Sequence, residues 1–176
     1  IGNPGQTYSM PVNRGLVNQV LTSGGGDVVV WGSKSYCNNS ILNNTLITSI
    51  TTIGQFVPLA GSNTNGLSSP DFANIGGLTV YTGLSTKIFQ VHANVSWEIQ
   101  IGATDKVSLG ITKNAVLIPT SEVRCALDDN NNYERNASTS CIVSLAPNDN
   151  IGPAVANQTD TSNILVSWAN FIITEV

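Results

Sequence analysis

The residues of this chain that could do chemistry are few, and their spacing narrows them further. His92 is the single histidine. It has no Ser, Cys or carboxylate at motif spacing to act with, so its plainer role is a hydrogen-bonded residue on a sheet face. No GxSxG, HExxH or P-loop pattern occurs, and the glycine-rich "SGGGD" (23–27) lacks the Lys-Ser or Lys-Thr that a phosphate-cradling loop carries. Cys37, Cys125 and Cys141 form an odd set with no CxxC, and one histidine leaves no Cys/His zinc site. Cys125 and Cys141 could face each other on paired strands with Cys37 left over. The simpler reading makes all three small, partly buried hydrophobes. The chain is expected not to be an enzyme.

One loop has ligand-like spacing. In "LDDNNNYE" (127–134), Asp128, Asn130, Asn132 and Glu134 recur at every second residue, and oxygens so placed can wrap a hard cation such as calcium. Tyr133 occupies the sixth loop position, where a turn glycine belongs, and no Glu stands at the twelfth, so a solvated connection is the competing reading. If a metal binds, those four residues are the expected ligands; no other cofactor is implied. For a receptor or a sugar, Tyr133 in its Asn-rich loop and Tyr36 beside Cys37 are the aromatic candidates. Sequons stand at Asn38, Asn43, Asn94, Asn136 and Asn157. In so Asn- and Thr-rich a sequence they mark only where glycans could attach in a secretory setting, and Asn94 is a poor acceptor because it falls in mid-strand.

Whatever these residues do, strands must position them. Charged residues make up 10% of the 176, well under the roughly 25% usual for soluble domains, and Asn, Ser and Thr take the polar positions instead. A net charge of -4 with seven Lys and Arg leaves no phosphate-neutralising surface, so neither nucleic acid nor polybasic membrane recruitment is expected. No apolar run approaches the roughly 18 residues of a spanning helix, and no membrane insertion is expected. The hydrophobic share of 41% is enough for one domain with a real core.

The clearest strand is "KIFQVHANVSWEIQI" (87–101). Phe89, Val91, Ala93, Val95, Trp97, Ile99 and Ile101 alternate without a break against polar residues. "KVSLGITKNAVLI" (106–118) puts Val107, Leu109 and Ile111 on one face and a turn at Lys113-Asn114. "EVRCAL", "SCIVSL" and "NILVSWANFIITEV" come after it, joined by polar connections. The pattern implies an all-β sandwich or barrel with very little helix. Strict alternation in the last strand sets Leu165, Ala169, Phe171 and Ile173 on one face and Ile164, Val166, Trp168 and Ile172 on the other. A strand apolar on both faces must be covered on both. A second copy of the chain is the economical cover for the outer face, a loop of the same chain the alternative.

Residues 1 to about 35 differ in texture, with Asn3-Pro4-Gly5, Pro11 and Gly24-Gly25-Gly26 as breakers. Within "RGLVNQVLTSGGGDVVVWG" (14–32) the short strand from Val28 to Trp31 is too brief to fold alone. The chain opens at Ile1 without an initiator Met or a signal-peptide pattern and is expected to be a piece or a processed form of a longer protein.

The stretches "FVPLAG" (56–61), "LTVYTGLSTKIFQVHANVSWEI" (78–99), "LGITKNAVLIPTSEVR" (109–124), "IVSLAPNDNI" (142–151) and "NILVSWANFIITEV" (163–176) together resemble the TNF/C1q-like jelly-roll domain of phage and large-virus structural proteins. The resemblance implies an antiparallel jelly-roll β-sandwich head over 45–176, a short N-terminal β extension over 1–44, and a homotrimer. "GLVNQVLTSGGGDVVVWG" is similar to a segment of viral fibre and tail proteins in which three chains each supply a strand, although one copy is present here. Both likenesses imply a non-enzymatic virion structural protein. It would be a trimeric fibre or capsid-appendage head on the virion surface, for host attachment or capsid decoration. Its partners would be other virion proteins and a host-surface glycan or protein receptor. Val30 and Trp31 in the foot and Val166, Trp168, Phe89 and Trp97 in the head are the expected trimer contacts, the last two being equally placed for the core. The alternative is a secreted, extracellular carbohydrate-binding module or a C1q-like adhesion or signalling domain.

Overall fold

A computed structural model describes residues 9, 11–13, 15, 19–25, 28–61, 64–75, 78–99, 105–127 and 135–176. The chain divides into two compact units, Ile1–Lys34 and Ser35–Val176. In the first, β1 (Gln19–Gly25) and β2 (Val28–Ser33) form an antiparallel pair in which Val30 lies opposite Thr22 and Trp31 opposite Leu21. The Trp31 indole N–H donates to the Asn13 carbonyl at 2.7 Å. A Cβ on Gly15 would sit 2.5 Å from the Trp31 ring, so that approach requires glycine. The valine-rich strand therefore has a partner within its own segment.

Among the described residues the second unit holds thirteen strands in chain order. They are β3 (Tyr36–Ile41), β4 (Ile47–Thr48), β5 (Val57–Pro58), β6 (Thr64–Ser68), β7 (Phe72–Ile75), β8 (Leu78–Tyr81) and β9 (Lys87–Ile99). Next are β10 (Asp105–Lys113), β11 (Val116–Leu117), β12 (Val123–Leu127), β13 (Arg135–Leu145), β14 (Asn150–Asn157) and β15 (Ile164–Glu175). A 3-10 turn, Pro119–Ser121, interrupts them, and the described residues contain no α-helix. β3 begins before residue 45, where the head was expected to start, and belongs to this unit. The strands form two antiparallel sheets. One runs β13-β9-β15-β3-β6 with β4 on β15; the other runs β11-β10-β14-β8-β7 with β12 on β10 and β5 on β14. The architecture is all-β and consistent with a sandwich.

The alternation read in the sequence of β9 is observed from Phe89 to Trp97; the Ile99 side chain and Ile101 lie outside the described residues. Phe89, Val91, Ala93, Val95 and Trp97 are buried, and the residues between them face outward. They meet Val107, Leu109 and Ile111 of β10 in two apolar clusters. Phe72, Tyr81 and Phe89 anchor one of these, with ring centroids 5.1 to 5.4 Å apart and tilted or edge-on, the arrangement their quadrupoles favour. Trp97, Val155, Ile164 and Val166 anchor the other.

The β10–β11 turn centres one residue later than expected, on Asn114 (φ 51°) and Ala115 (φ 63°). Two central residues at positive φ make a tight hairpin turn that matches strand twist. Asn114 stabilises it, donating to Asp149 at 2.7 Å and accepting from the Asn150 N–H at 2.9 Å.

β14 carries no alternation, because Gly152 and Pro153 sit in its middle. Pro153 falls where the neighbour on one side changes from β8 at Ile151 to β5 at Ala154, so its missing N–H costs the ladder little there.

Phe89→Ala is expected to lower unfolding free energy by about 3–5 kcal/mol. Leu84→Ala, at a fully exposed position, should stay within about 0.5 kcal/mol of the unsubstituted protein. Urea denaturation of both variants checks the pair.

Candidate functional site

The outward side chains of β13, β9, β15 and β3 line up in cross-strand rows. Asn136, Ser96 and Trp168 form the first, and Ser138, Asn94, Asn170 and Ser40 the second. Ser140, His92, Ile172 and Asn38 form the third, and Ile142, Gln90, Thr174 and Tyr36 the fourth. Ser144 and Ile88 close the series. Glu98 of β9, opposite Leu165, stands just beyond the first row; no side chain in the five rows is an acid, a lysine or an arginine. The rows nonetheless expose Ile142 (67%), Ile88 (54%), Trp168 (44%) and Ile172 (37%).

β15 corrects the reading by strict alternation. Its pairing with β9 shifts between Val166 and Trp168, so Ser167 is an inserted bulge residue and the faces exchange there. Ile164 and Val166 join Ala169, Phe171 and Ile173 in the core, and Trp168 turns outward. Val166, Phe89 and Trp97 are wholly buried. They therefore hold the two sheets together and cannot touch a neighbouring chain, as had been expected of them. Of the expected head contacts, Trp168 alone lies on an open face. In the first unit Trp31 is half-buried, and the position of Val30 is fixed by its backbone pairing.

The bulge is clamped. The Asn44 N–H donates to the Ser167 carbonyl at 2.9 Å, and its amide donates to the carbonyls of Val166 at 2.9 Å and Ala60 at 2.8 Å. Gly61, at φ 134°, leaves room for that amide, because a Cβ there would stand 3.0 Å from it. Leu42 lies just before this clamp and forms one wall of a groove of about 460 Å³. Its other side chains include Trp168, Asn94, Asn136, Asn170, Ser40, Ser96 and Ser138.

Two polar clusters elsewhere are structural. The Ser35 hydroxyl donates to Asp71 and accepts from Lys87 Nζ at 2.9 Å, while Glu175 accepts from Lys87 at 3.0 Å and from the Ser35 N–H at 2.7 Å. Ser35 is inaccessible. Burial acts to lower the Lys87 pKa, but Glu175 outweighs it and the net shift is upward. This Ser/Lys pair therefore supplies neither an exposed nucleophile nor a neutral base. It ties the ends of β9 and β15 together.

In the second cluster Asn157 donates to Asp105 and Asp160, each at 2.9 Å, and accepts from the Thr159 and Asp160 N–H groups. Burial raises the Asp105 carboxyl. Asn157 is wholly buried with its amide committed, so its sequon cannot accept a glycan in the folded chain.

Asp128, Asn130, Asn132, Tyr133 and Glu134 lie outside the described residues. Among the described residues no group of three His, Cys, Asp or Glu side chains is placed for a metal. Tyr36 is exposed beside Thr174, away from the Trp168 groove. All three cysteines are free. Cys125 pairs with Val107 in one sheet and Cys141 with Val91 in the other, so the two do not face each other. Cys141 and Cys37 are three strands apart along one row, roughly 14 Å, where a disulfide needs Cα atoms within about 7 Å. Burial pushes the Cys37 thiol up to about 11 and raises Cys141 as well.

No protein-family model matches this sequence, and no curated protein matches it.

Native protein at neutral pH should show one readily alkylated thiol, removed by Cys125→Ser, with Cys37 and Cys141 reacting only on unfolding; thiol titration with and without urea checks this. Burial acts to raise the Glu175 carboxyl, but the Ser35 N–H and Lys87 outweigh it and hold it below its ordinary value. A depressed folded pKa contributes stability above the unfolded pKa that is lost as pH falls through the folded one. Glu175→Gln should therefore be less stable than the unsubstituted protein above about pH 5 and converge with it in acid. Urea midpoints across that range test the sign.

Proposed function

We propose that this chain is the head of a homotrimeric, non-enzymatic virion protein that attaches to a host surface or decorates a capsid. The single observation that carries the reading is the outer face of β13, β9, β15 and β3. It is a broad sheet surface whose five rows from Asn136 to Ser144 hold no acid or basic chain, and on it Ile88, Ile142 and Ile172 stand exposed. Water solvates those isoleucines poorly, and no charge in their rows opposes the approach of a second copy. Closed symmetry lets three identical faces cover one another without leaving an edge for further growth. His92 and its neighbours Ser140, Ile172 and Asn38 stand midway along the rows and would be enclosed.

The strand order supports a jelly roll of the TNF/C1q-like kind. From β8 onward the chain crosses between the two sheets at every step except within the β10–β12 run, which stays in one sheet, and such crossings are in keeping with nested Greek keys. The resemblance of residues 45–176 to viral structural domains and of residues 15–32 to fibre segments favours a head on a virion surface, with the β1–β2 hairpin as its foot. Its work would then be adhesive. Weak contacts from each copy to a host glycan or protein add up through multivalency.

Light scattering on a sizing column checks the reading. The expected mass is three times 18.5 kDa, falling to that of one chain in the double variant Ile142→Asp and Ile172→Asp, whose positions are exposed and whose fold should survive. A monomer at micromolar concentration without substitution sinks the proposal.

A further inference from the structure

We infer that the groove beside Trp168 binds a neutral pyranose sugar. The inference rests on the adhesive half of the proposed function and not on the trimer, since one chain supplies every lining residue.

A pyranose has an apolar C–H face and a rim of hydroxyls, so it needs an aromatic plane flanked by short polar side chains. Trp168 supplies the plane. Asn94, Asn136 and Asn170 supply amides, and Ser40, Ser96 and Ser138 supply hydroxyls. The side chains of Asn94, Asn170 and Ser138 and the Trp168 indole N–H make no hydrogen bond to another described residue; they face solvent ready to exchange water for hydroxyls. Ser96 donates to Asn136 at 2.5 Å, fixing that amide oxygen and leaving its N–H groups turned to the groove. Among the described residues no charged side chain lines the site, which favours a neutral ring over a sialylated or sulfated one.

Placement supports the same conclusion. Trp168 reaches the open face only through the Ser167 bulge, a device that re-aims a side chain, and the Asn44 clamp holds that bulge rigidly. Asn94 and Asn170 lie directly opposite each other on the two central strands, so the amides are positioned by the sheet and not by a mobile loop. A pre-set site loses little entropy on binding. Along β9, Asn94 is four residues from Gln90, in the row of Ile142, or roughly 13 Å. Ile172 is nearer, two residues from Asn170 along β15 or roughly 7 Å, so a second copy seated on both isoleucines borders the groove on one side and leaves the Trp168 side open.

The test is a titration of the full chain in nitrogen-15 correlation spectra, monitored through the indole N–H signals of its three tryptophans and, in variants that lack Trp168, through the side-chain amide signals of Asn94 and Asn136 in the groove. The probes are methyl β-galactopyranoside, methyl β-glucopyranoside, N-acetylglucosamine and lactose, with sialyllactose as the charged comparison. The expected result is a saturable shift of the Trp168 signal by at least one neutral probe, in the millimolar range for a single site. Affinity should drop at least about 10-fold in Trp168→Ala, fall several-fold in Asn170→Ala, and survive in Trp168→Tyr. Mass by light scattering is read on the same samples. A monomer that binds sugar supports this inference while overturning the trimer. A trimer whose Trp168 signal is unmoved by every neutral probe overturns the inference alone. Binding that persists unchanged in Trp168→Ala also overturns it.

Discussion

A β-strand has two faces, and β15 holds apolar residues at both parities, more than one face can take under strict alternation. One inserted residue resolves the conflict. With Ser167 bulged, Ile164 and Val166 fall on the same side as Ala169, Phe171 and Ile173, and five apolar side chains reach the core from one strand. Without the bulge, half of β15 would have to turn its apolar residues outward, leaving β9 to pack against a polar partner at Trp97 or at Ala93. The core cluster around Trp97, the outward turn of Trp168 and the groove beside it are all consequences of that one-residue slip. Asn44 and Gly61 make it permanent, the first by capturing the carbonyls that the bulge frees from the ladder, the second by leaving space for the capturing amide.

The sparse charge has a structural counterpart. Besides the exposed Arg124–Glu122 pair, the described ion pairs form two partly buried knots. Lys87 bridges Asp71 and Glu175 at the start of β9, and Lys113 meets Asp149 at 2.8 Å beside the β10–β11 turn. Elsewhere, neutral side chains substitute. Asn39 reaches from β3 across to Thr79 of β8 at 2.5 Å, joining the two sheets where a hydrophobe would ordinarily pack. Because the charges are spent at strand ends, the middle of the outer sheet face is left to amides, hydroxyls and isoleucines. Natural sheets commonly guard such faces and edges with lysine, and this one does not.

The legible parts of the fold were those governed by one rule at a time. β9 obeys period two from Phe89 to Trp97, so its buried face could be named residue by residue. β10 and its hairpin were visible for the same reason, to within one residue at the turn. Three elements were hidden by competing signals. β3 points Asn39 inward between Cys37 and Ile41, which breaks the apolar pattern that would have marked it. β14 carries Gly152-Pro153, ordinarily a sign that a strand has ended. In β15 the bulge left a trace, since Val166 and Ala169 are three residues apart where alternation asks for two or four. Reading that trace would have moved Val166 into the core and Trp168 alone to the surface. The groove was less legible still, because its side chains come from β3, β9, β13 and β15, and no local spacing brings Ser40, Asn94, Asn136 and Asn170 together.

The two roles proposed for the outer face constrain each other. Association wants a large dry area, and sugar recognition wants polar groups that stay wet until a hydroxyl replaces the water. The rows divide along these lines. Amides and small hydroxyls crowd the first two, around Trp168, while the exposed isoleucines belong to the rows beyond. A single shallow groove with one aromatic plane binds a neutral ring weakly, because few hydrogen bonds to water are improved on exchange. Repetition is what turns such a contact into attachment. A face that assembles three copies at one end and presents a sugar-shaped groove at the other would supply that repetition from a single sheet.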